Sequence, residues 1–257
     1  MDLRTLIKSE LKAVNNGEYI VSVDVARSES TANNQCSVAV LKIKRNSSGK
    51  ISVVQLVNLI NIPSILNFQA QAQEVMKVKN LYNAKAVIVD GNGLGAGLVD
   101  ALTLEQVDPS TGDILGCYKT MNTEQESETE DAEEILYELK AQGINHDIIV
   151  TFIDYIEGGK LQLLEKRNDV NYDISNTDYF VDKTLPFIQT DQLLEEIANL
   201  KLKTLGNGKL SIEQQARKIN KDRFSALSYG LWYIKTFEDN YEEDNSANSI
   251  ADYLFIN

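Results

Sequence analysis

The chain has 257 residues, of which 43% are hydrophobic and 25% charged, the composition of a soluble globular protein with one sizeable core. Its 25 basic and 38 acidic residues give a formal net charge of -13, which at first argues against a nucleic-acid partner. The acids are unevenly distributed, however: seven lie within 124–134 and six within 238–252, and neither segment contains a base. The rest of the chain is neutral, so the net charge does not exclude nucleic acid.

The rare residue types exclude several kinds of site. His146 is the only histidine, and Cys36 and Cys117 are the only cysteines, so neither a Cys/His zinc site nor a disulfide framework can form. A serine or cysteine nucleophile would have only His146 as its base, and no G-x-S-x-G motif accompanies it. Two cysteines without a pairing pattern, no signal peptide and no apolar run of ~18 residues predict a cytoplasmic protein.

The first third of the chain changes its hydrophobic period once. Apolar residues at helical spacing predict an opening helix over 3–14, which ends at the Asn15-Asn16-Gly17 turn. β-Branched and alternating residues then predict three strands, which we expect to form an antiparallel meander, over 19–26, 37–44 and 51–60.

A buried strand follows this meander. Residues 67–82 have a helical period and lead into 85–90, a short and almost wholly apolar run. Such a run is typical of a strand that is buried on both faces and parallel to its neighbour. A glycine-rich turn at 91–97 then opens a helix that continues through Leu104.

The second half alternates short strands with helices and ends on a long helix. The pattern predicts a hairpin around Gly206-Asn207-Gly208 and a final helix over 222–237, before a polar, acidic tail. It also predicts strands at 114–118 and 160–164 and helices at 132–142, 146–157 and 191–200.

Three aspartates stand where such a sheet places its ligands. Asp24 interrupts the most apolar strand, where a charge is costly unless it faces an opening or has a partner. Asp90 closes the second apolar strand, and Asp222 begins the final helix. If the two strands are adjacent and parallel, both of their carboxylates point into one crevice. The alternatives are that Asp90 and Asp222 only form a turn or a helix cap, and that the glycine-rich turn serves close packing rather than phosphate binding.

Convergent carboxylates without histidine or cysteine form an oxygen-only site, which favours Mg²⁺ or Mn²⁺ over zinc. Two such ions ~4 Å apart can hold the attacking and leaving oxygens of a phosphodiester. Four basic residues flank Asp222 in the sequence: Arg217, Lys218, Lys221 and Arg223. They could contact DNA phosphates, or they could only form a solvated face.

The segments that carry these acids have a familiar pattern. YIVSVDVARSES, AKAVIVDGNGLGAGLVDAL and KDRFSALSYGLW, in this order, resemble the nuclease domain of the large terminase subunit of tailed bacteriophages, in the ribonuclease H-like superfamily. The resemblance covers roughly 15–237. It implies an α/β fold with a mixed sheet of five or more strands, helices on both faces and an added β-hairpin. It also implies a nuclease domain over 17–237, between an N-terminal helix or linker at 1–16 and an acidic tail at 238–257.

The resemblance implies a metal-dependent endonuclease that cuts concatemeric viral DNA during genome packaging in the cytoplasm of the bacterial host. Asp24, Asp90 and Asp222 would hold two Mg²⁺ or Mn²⁺ ions. The last motif of the family often has a second acid where this chain has Ser225, so Asp178 or Asp182 is an alternative third ligand. The implied contacts to double-stranded DNA, which we expect to depend little on base sequence, are Arg217, Lys218, Lys221, Arg223 and, in the hairpin, Lys209.

The implied partners are a terminase ATPase motor domain, the small terminase subunit and the portal protein. No G-x-x-x-x-G-K-[ST] motif occurs in the chain, so we expect an excised nuclease domain or a separately encoded nuclease. Three alternatives remain open: a non-catalytic docking module of the packaging motor with the same fold, an actin-like or sugar-kinase-type ATP-binding protein, and other nucleases of this fold such as resolvases or integrases.

Overall fold

The computed structural model describes residues 4–26, 35–166 and 177–238, without the side chains of 4–6 and 177–182. Its first half contains β1 (Arg4–Ile7), β2 (Glu18–Asp24), β3 (Cys36–Arg45), β4 (Ile51–Ile62), α1 (Phe68–Tyr82), β5 (Ala86–Asp90), α2 (Gly95–Leu102), β6 (Gln106–Val107), β7 (Ile114–Gly116) and β8 (Tyr118–Thr120). Its second half contains β9 (Glu133–Leu139), α3 (Ala141–Glu157), β10 (Leu161–Leu164), α4 (Thr177–Ala198), β11 (Leu200–Thr204), β12 (Leu210–Gln214) and α5 (Asp222–Tyr233), which a π-helical turn at Ile234–Glu238 extends.

Eight strands form one mixed sheet in the order β1-β10-β4-β3-β2-β5-β9-β8. The predicted meander is confirmed, because β2, β3 and β4 pair antiparallel. The predicted parallel neighbour is confirmed as well, because β5 pairs parallel with β2. The carboxyl ends of β2 and β5 therefore lie side by side at one edge of the sheet.

Alternate residues of the central strands supply two cores, one on each face of the sheet. On one face, Ile20 and Ile88 belong to a core that includes residues of α3, α4 and α5. On the other face, Val21 and Val87 pack with residues of α1 and α2. Helices thus cover both faces, as expected, and β11 and β12 form the expected separate hairpin. Within the described residues, no helix has the length and apolar character needed to cross a membrane.

Two predicted helices are wrong, and in both places the chain pairs with an open strand edge. Arg4–Ile7 is strand β1, which lies parallel to β10, in place of the expected opening helix. Glu133–Leu139 is strand β9, which lies between β5 and β8, where a helix over 132–142 was expected. The three-residue spacing of Leu136 and Leu139 suits a helix. Pairing with β5 outweighs this local preference because it satisfies the backbone hydrogen bonds of a buried strand.

Candidate functional site

A cavity of about 530 Å³ lies at the carboxyl ends of β2 and β5. All three predicted acids line it, so the structure brings together Asp24, Asp90 and Asp222 from three separate elements. The rest of the wall consists of Val25, Ala26, Leu94, Ala141, Gln142, Asn145, Lys221, Ser225 and Tyr229.

Asp24 is the last residue of β2, and its carboxyl group is strongly perturbed by its surroundings. Burial raises the pKa of its carboxyl group well above the usual range, and the negative charges of Asp222 and Asp90 raise it further. The nearby ammonium group of Lys221 and the hydroxyl of Ser225 act in the opposite direction. A carboxylate in such surroundings is stabilised by an added cation, because a cation offsets both the burial and the repulsion.

Asp90 is held by backbone and side-chain donors. Its Oδ1 accepts hydrogen bonds from the backbone nitrogen of Asn92 at 3.2 Å and from the side-chain Nδ2 of Asn92 at 2.6 Å. It also accepts one from the backbone nitrogen of Ala141 at 3.2 Å. The Tyr229 hydroxyl donates to Oδ2 at 3.4 Å. Asp90 therefore does form a turn, which was the alternative to a ligand role. It also binds the first residue of α3 and lines the cavity.

Asp222 is the first residue of α5, and the helix cap is the preceding residue, Lys221. The Asp222 Oδ2 accepts hydrogen bonds from the backbone nitrogen of Gln35 at 3.0 Å and from the Asn220 Nδ2 at 3.2 Å. The side chain thus does not cap its helix, which leaves it directed to the cavity side. The alternative third ligands, Asp178 and Asp182, have side chains outside the described part of the chain.

The donor set fits a hard divalent cation, because it consists of carboxylate oxygens with unbalanced negative charge. The three acids are nevertheless spread around the cavity: within the described ranges, no group of three or more His, Cys, Asp or Glu side chains is arranged to hold a metal ion. The acids share one cavity and influence each other electrostatically, but they do not form a closed cage of ligands.

The glycine-rich turn after β5 is a close-packing turn. A Cβ atom added to Gly95 would collide with the backbone oxygen of Asp90, and one added to Gly91 would collide with the Glu138 side chain. Gly93 has a φ of +58°, which other residues rarely adopt. These contacts support the alternative in which the glycines serve close packing rather than phosphate binding. The turn follows Asp90, which lines the cavity.

The predicted DNA-contacting bases occupy two different environments. Lys209, Arg217 and Lys218 are exposed, and Lys221 is exposed at the cavity wall. Arg223 is instead buried between α4 and α5. Its Nη1 donates to the Glu196 Oε1 at 2.6 Å and its Nε to the Gln189 Oε1 at 2.7 Å. The structure therefore places Arg223 inside the protein, as a link between two helices, and not among the exposed bases.

The single histidine does not line the cavity but anchors the hairpin. The His146 Nδ1, on α3, accepts a hydrogen bond at 3.0 Å from the backbone nitrogen of Leu210, at the start of β12. His146 thus lies inside α3, which begins at Ala141, and its Nδ1 joins this helix to β12. It also fixes the hairpin next to the helix that supplies Gln142 and Asn145 to the cavity.

Sequence reasoning missed four residues at this site: Gln35, Asn92, Asn220 and Tyr229. Asn92 could have been found, because Asp-x-Asn after a strand is typical of a turn closed by an aspartate side chain. The phenol of Tyr229 lies seven residues after Asp222, which is two helical turns, so the same face of α5 carries both. Gln35 had no local signal, because its contact with Asp222 joins residues far apart in the chain.

No protein-family model matches the sequence, and no curated protein matches it significantly. Solved structures do match. The large terminase nuclease from thermophilic phage G20c has a TM-score of 0.52 with this chain at 11% sequence identity, covering 89% of this chain and 92% of that chain. A second structure of the same phage nuclease, with bound magnesium, has a TM-score of 0.51 at 12% identity with the same coverage. This chain therefore has the ribonuclease H-like fold of the large terminase nucleases.

Proposed function

We propose that the protein is a divalent-metal-dependent endonuclease of the large terminase type, which cleaves double-stranded viral DNA during genome packaging. The observation that carries this proposal is the shared cavity of Asp24, Asp90 and Asp222 at the carboxyl ends of β2 and β5. Open α/β sheets bind their ligands at this edge. The likeness in fold to terminase nucleases supports the same reaction class.

Asp24, Asp90 and Asp222 would hold two Mg²⁺ or Mn²⁺ ions. When bound, such ions offset the charge of a phosphodiester and lower the pKa of water, which favours hydrolysis. The contribution of the chain is to present the carboxylates in fixed orientations. The backbone nitrogens of Asn92 and Ala141 hold Asp90, and that of Gln35 holds Asp222.

The exposed bases would hold the DNA. Lys221 at the cavity wall, with Arg217 and Lys218 just before it and Lys209 on the hairpin, would contact phosphates on either side of the scissile bond. Contacts to phosphates carry no base information, so cleavage should depend little on sequence. The ATPase motor, the small terminase subunit and the portal protein would bring the DNA to this site in the host cytoplasm.

A plasmid-cleavage assay with Mg²⁺ or Mn²⁺, and EDTA as the blank, tests this function. We expect D24N to lower the cleavage rate by about 100-fold or more, because the variant keeps the shape of the side chain and removes the charge that a cation requires. The matched control is D147N, because Asp147 is an exposed aspartate on α3 that does not line the cavity. Equal cleavage by D24N and D147N would overturn the proposal.

One observation favours a second candidate, a non-catalytic docking module with the same fold. Within the described residues, the acids do not form a closed group of metal ligands. Calorimetric titration of the protein with Mn²⁺ distinguishes the two candidates. The nuclease should release or absorb heat on binding and D24N should not, whereas the docking module should show no difference between the two proteins.

A further inference from the structure

Helix α5 presents two hydroxyl groups to the cavity, one helical turn apart. Ser225 and Tyr229 are 4% and 8% exposed, and both line the cavity wall. The Ser225 hydroxyl lies close enough to the carboxylate of Asp24 to lower its pKa, and it also adjoins the Tyr229 hydroxyl. The Tyr229 hydroxyl in turn donates to the Asp90 Oδ2 at 3.4 Å.

These contacts connect Asp24 and Asp90 through the helix. The two acids end two neighbouring parallel strands, β2 and β5, and their carboxylates repel each other. Residues four apart on a helix lie next to each other on one face, so Ser225 and Tyr229 reach both carboxylates from the same side. The order of contacts is Asp24, Ser225, Tyr229 and Asp90.

The proposal rests on the proposed function. We propose that Ser225 and Tyr229 are positioning residues, which orient the carboxylates of Asp24 and Asp90 toward a shared divalent cation.

Neutral donors suit this position. A carboxylate offers about four lone-pair sites, so one accepted hydrogen bond leaves others directed to the cavity. A fourth acid at 225 would add negative charge to a cavity that already contains three acids, whereas a hydroxyl adds no charge. Donors that hold metal-binding side chains typically change metal affinity by about 10–100-fold when they are removed.

Calorimetric titration with Mn²⁺ tests the pair with a readout that does not depend on cleavage. We expect Y229F and S225A each to weaken the Mn²⁺ affinity about 10-fold, and the double variant to weaken it by less than the product, because the two hydroxyls are neighbours on one face of α5. The matched control is Y233F. Tyr233 is buried on the same helix, and its hydroxyl contacts the Met121 sulfur instead of the cavity.

The outcomes separate this inference from the function on which it rests. If Y229F and S225A bind Mn²⁺ as tightly as the wild type while D24N does not bind it, the positioning role is wrong and the metal site stands. If the wild-type protein itself binds no Mn²⁺, both proposals are overturned. The two substitutions remove single hydroxyl groups from different side chains, so if one variant fails to fold, the other still tests the positioning role. Thermal melting of each variant identifies a folding defect.

Discussion

Two adjacent residues at the start of α5 have different surroundings. Asp222 faces the cavity, while Arg223 enters the interior and pairs with Glu196 of α4. The Glu196 Oε2 also accepts a hydrogen bond from the backbone nitrogen of Phe224 at 3.0 Å. Because the cap residue of α5, Lys221, provides no side-chain hydrogen bond, Glu196 performs this role from another helix. The ion pair thereby fixes the end of α5 that carries Asp222.

Removing the positive charge of this pair should destabilise the fold. Glu196 has a side chain only 2% exposed, so R223Q leaves a buried carboxylate without its counter-charge. We expect the free energy of unfolding, measured by urea denaturation, to fall by about 3–5 kcal/mol. The control R217Q changes an exposed arginine and should alter it by less than about 0.5 kcal/mol. Equal denaturation midpoints for the two variants would show that the pair does not fix α5.

At the scale of elements, the distance between α5 and the sheet determines whether its residues reach the cavity. Gly230 lies where the helix crosses β2 and β3. An added Cβ would lie 2.5 Å from the Leu41 Cδ1 and 3.1 Å from the Ser22 Cβ. The missing side chain thus allows the close approach of helix and sheet, and the approach brings Ser225 and Tyr229 to Asp24 and Asp90.

Filling this contact should push α5 away from the sheet. We expect G230A to lower the free energy of unfolding by about 1–3 kcal/mol and to reduce Mn²⁺ affinity, because α5 carries Asp222. The helical control is G143A, since nothing lies within 4 Å of a Cβ built on Gly143 in α3. Because Gly143 directly precedes the kink of α3 at Ile144, we expect alanine there to change stability by less than about 1 kcal/mol. Urea denaturation that ranks G230A at or above G143A would refute the close-packing explanation.

At the scale of the whole molecule, the acids and bases behind the charge of -13 are concentrated in different segments of the sequence. Among the described residues, the acids of 124–134 lie in and before β9, near the β8 edge of the sheet. The exposed bases Arg217 and Lys218 lie between β12 and α5, a few residues before Lys221 of the cavity wall. Local positive charge on an acidic protein attracts DNA only over short distances, because salt screens charges beyond ~10 Å at 0.1 M. Such a protein should depend on a partner to bring its DNA.

DNA binding should therefore be weak and strongly dependent on salt. In fluorescence anisotropy with EDTA present, the logarithm of the binding constant should fall linearly with the logarithm of salt concentration. R217Q and K218Q should each reduce that slope by about 1, because each removes one phosphate contact. The control is K44Q. Lys44 is exposed near the end of β3, whereas the start of β3 pairs with Asp24 of the cavity, so this change should leave the slope unchanged. An equal change in slope for K44Q would place the DNA elsewhere.

The central sheet and its acids could be predicted because their signals are local. Alternation in β3 and β4, the apolar runs of β2 and β5, and an aspartate at the end of each run are all properties of neighbouring residues. The strands β1 and β9 could not be predicted in this way. Each forms because an open strand edge elsewhere in the molecule offers hydrogen-bond partners, and such an edge leaves no pattern in the segment that pairs with it.

The amino-acid sequence by itself thus determined the order of the central elements, the oxygen-only chemistry of the acids and the resemblance to terminase nucleases. Only the tertiary structure decided which basic residues are exposed and which side chains hold the acids. It placed Arg223 inside and brought Gln35 to Asp222 and Tyr229 to Asp90. The physical reason is that burial and hydrogen bonding depend on contacts between residues distant in the chain, whereas hydrophobic periodicity depends only on adjacent turns and pleats.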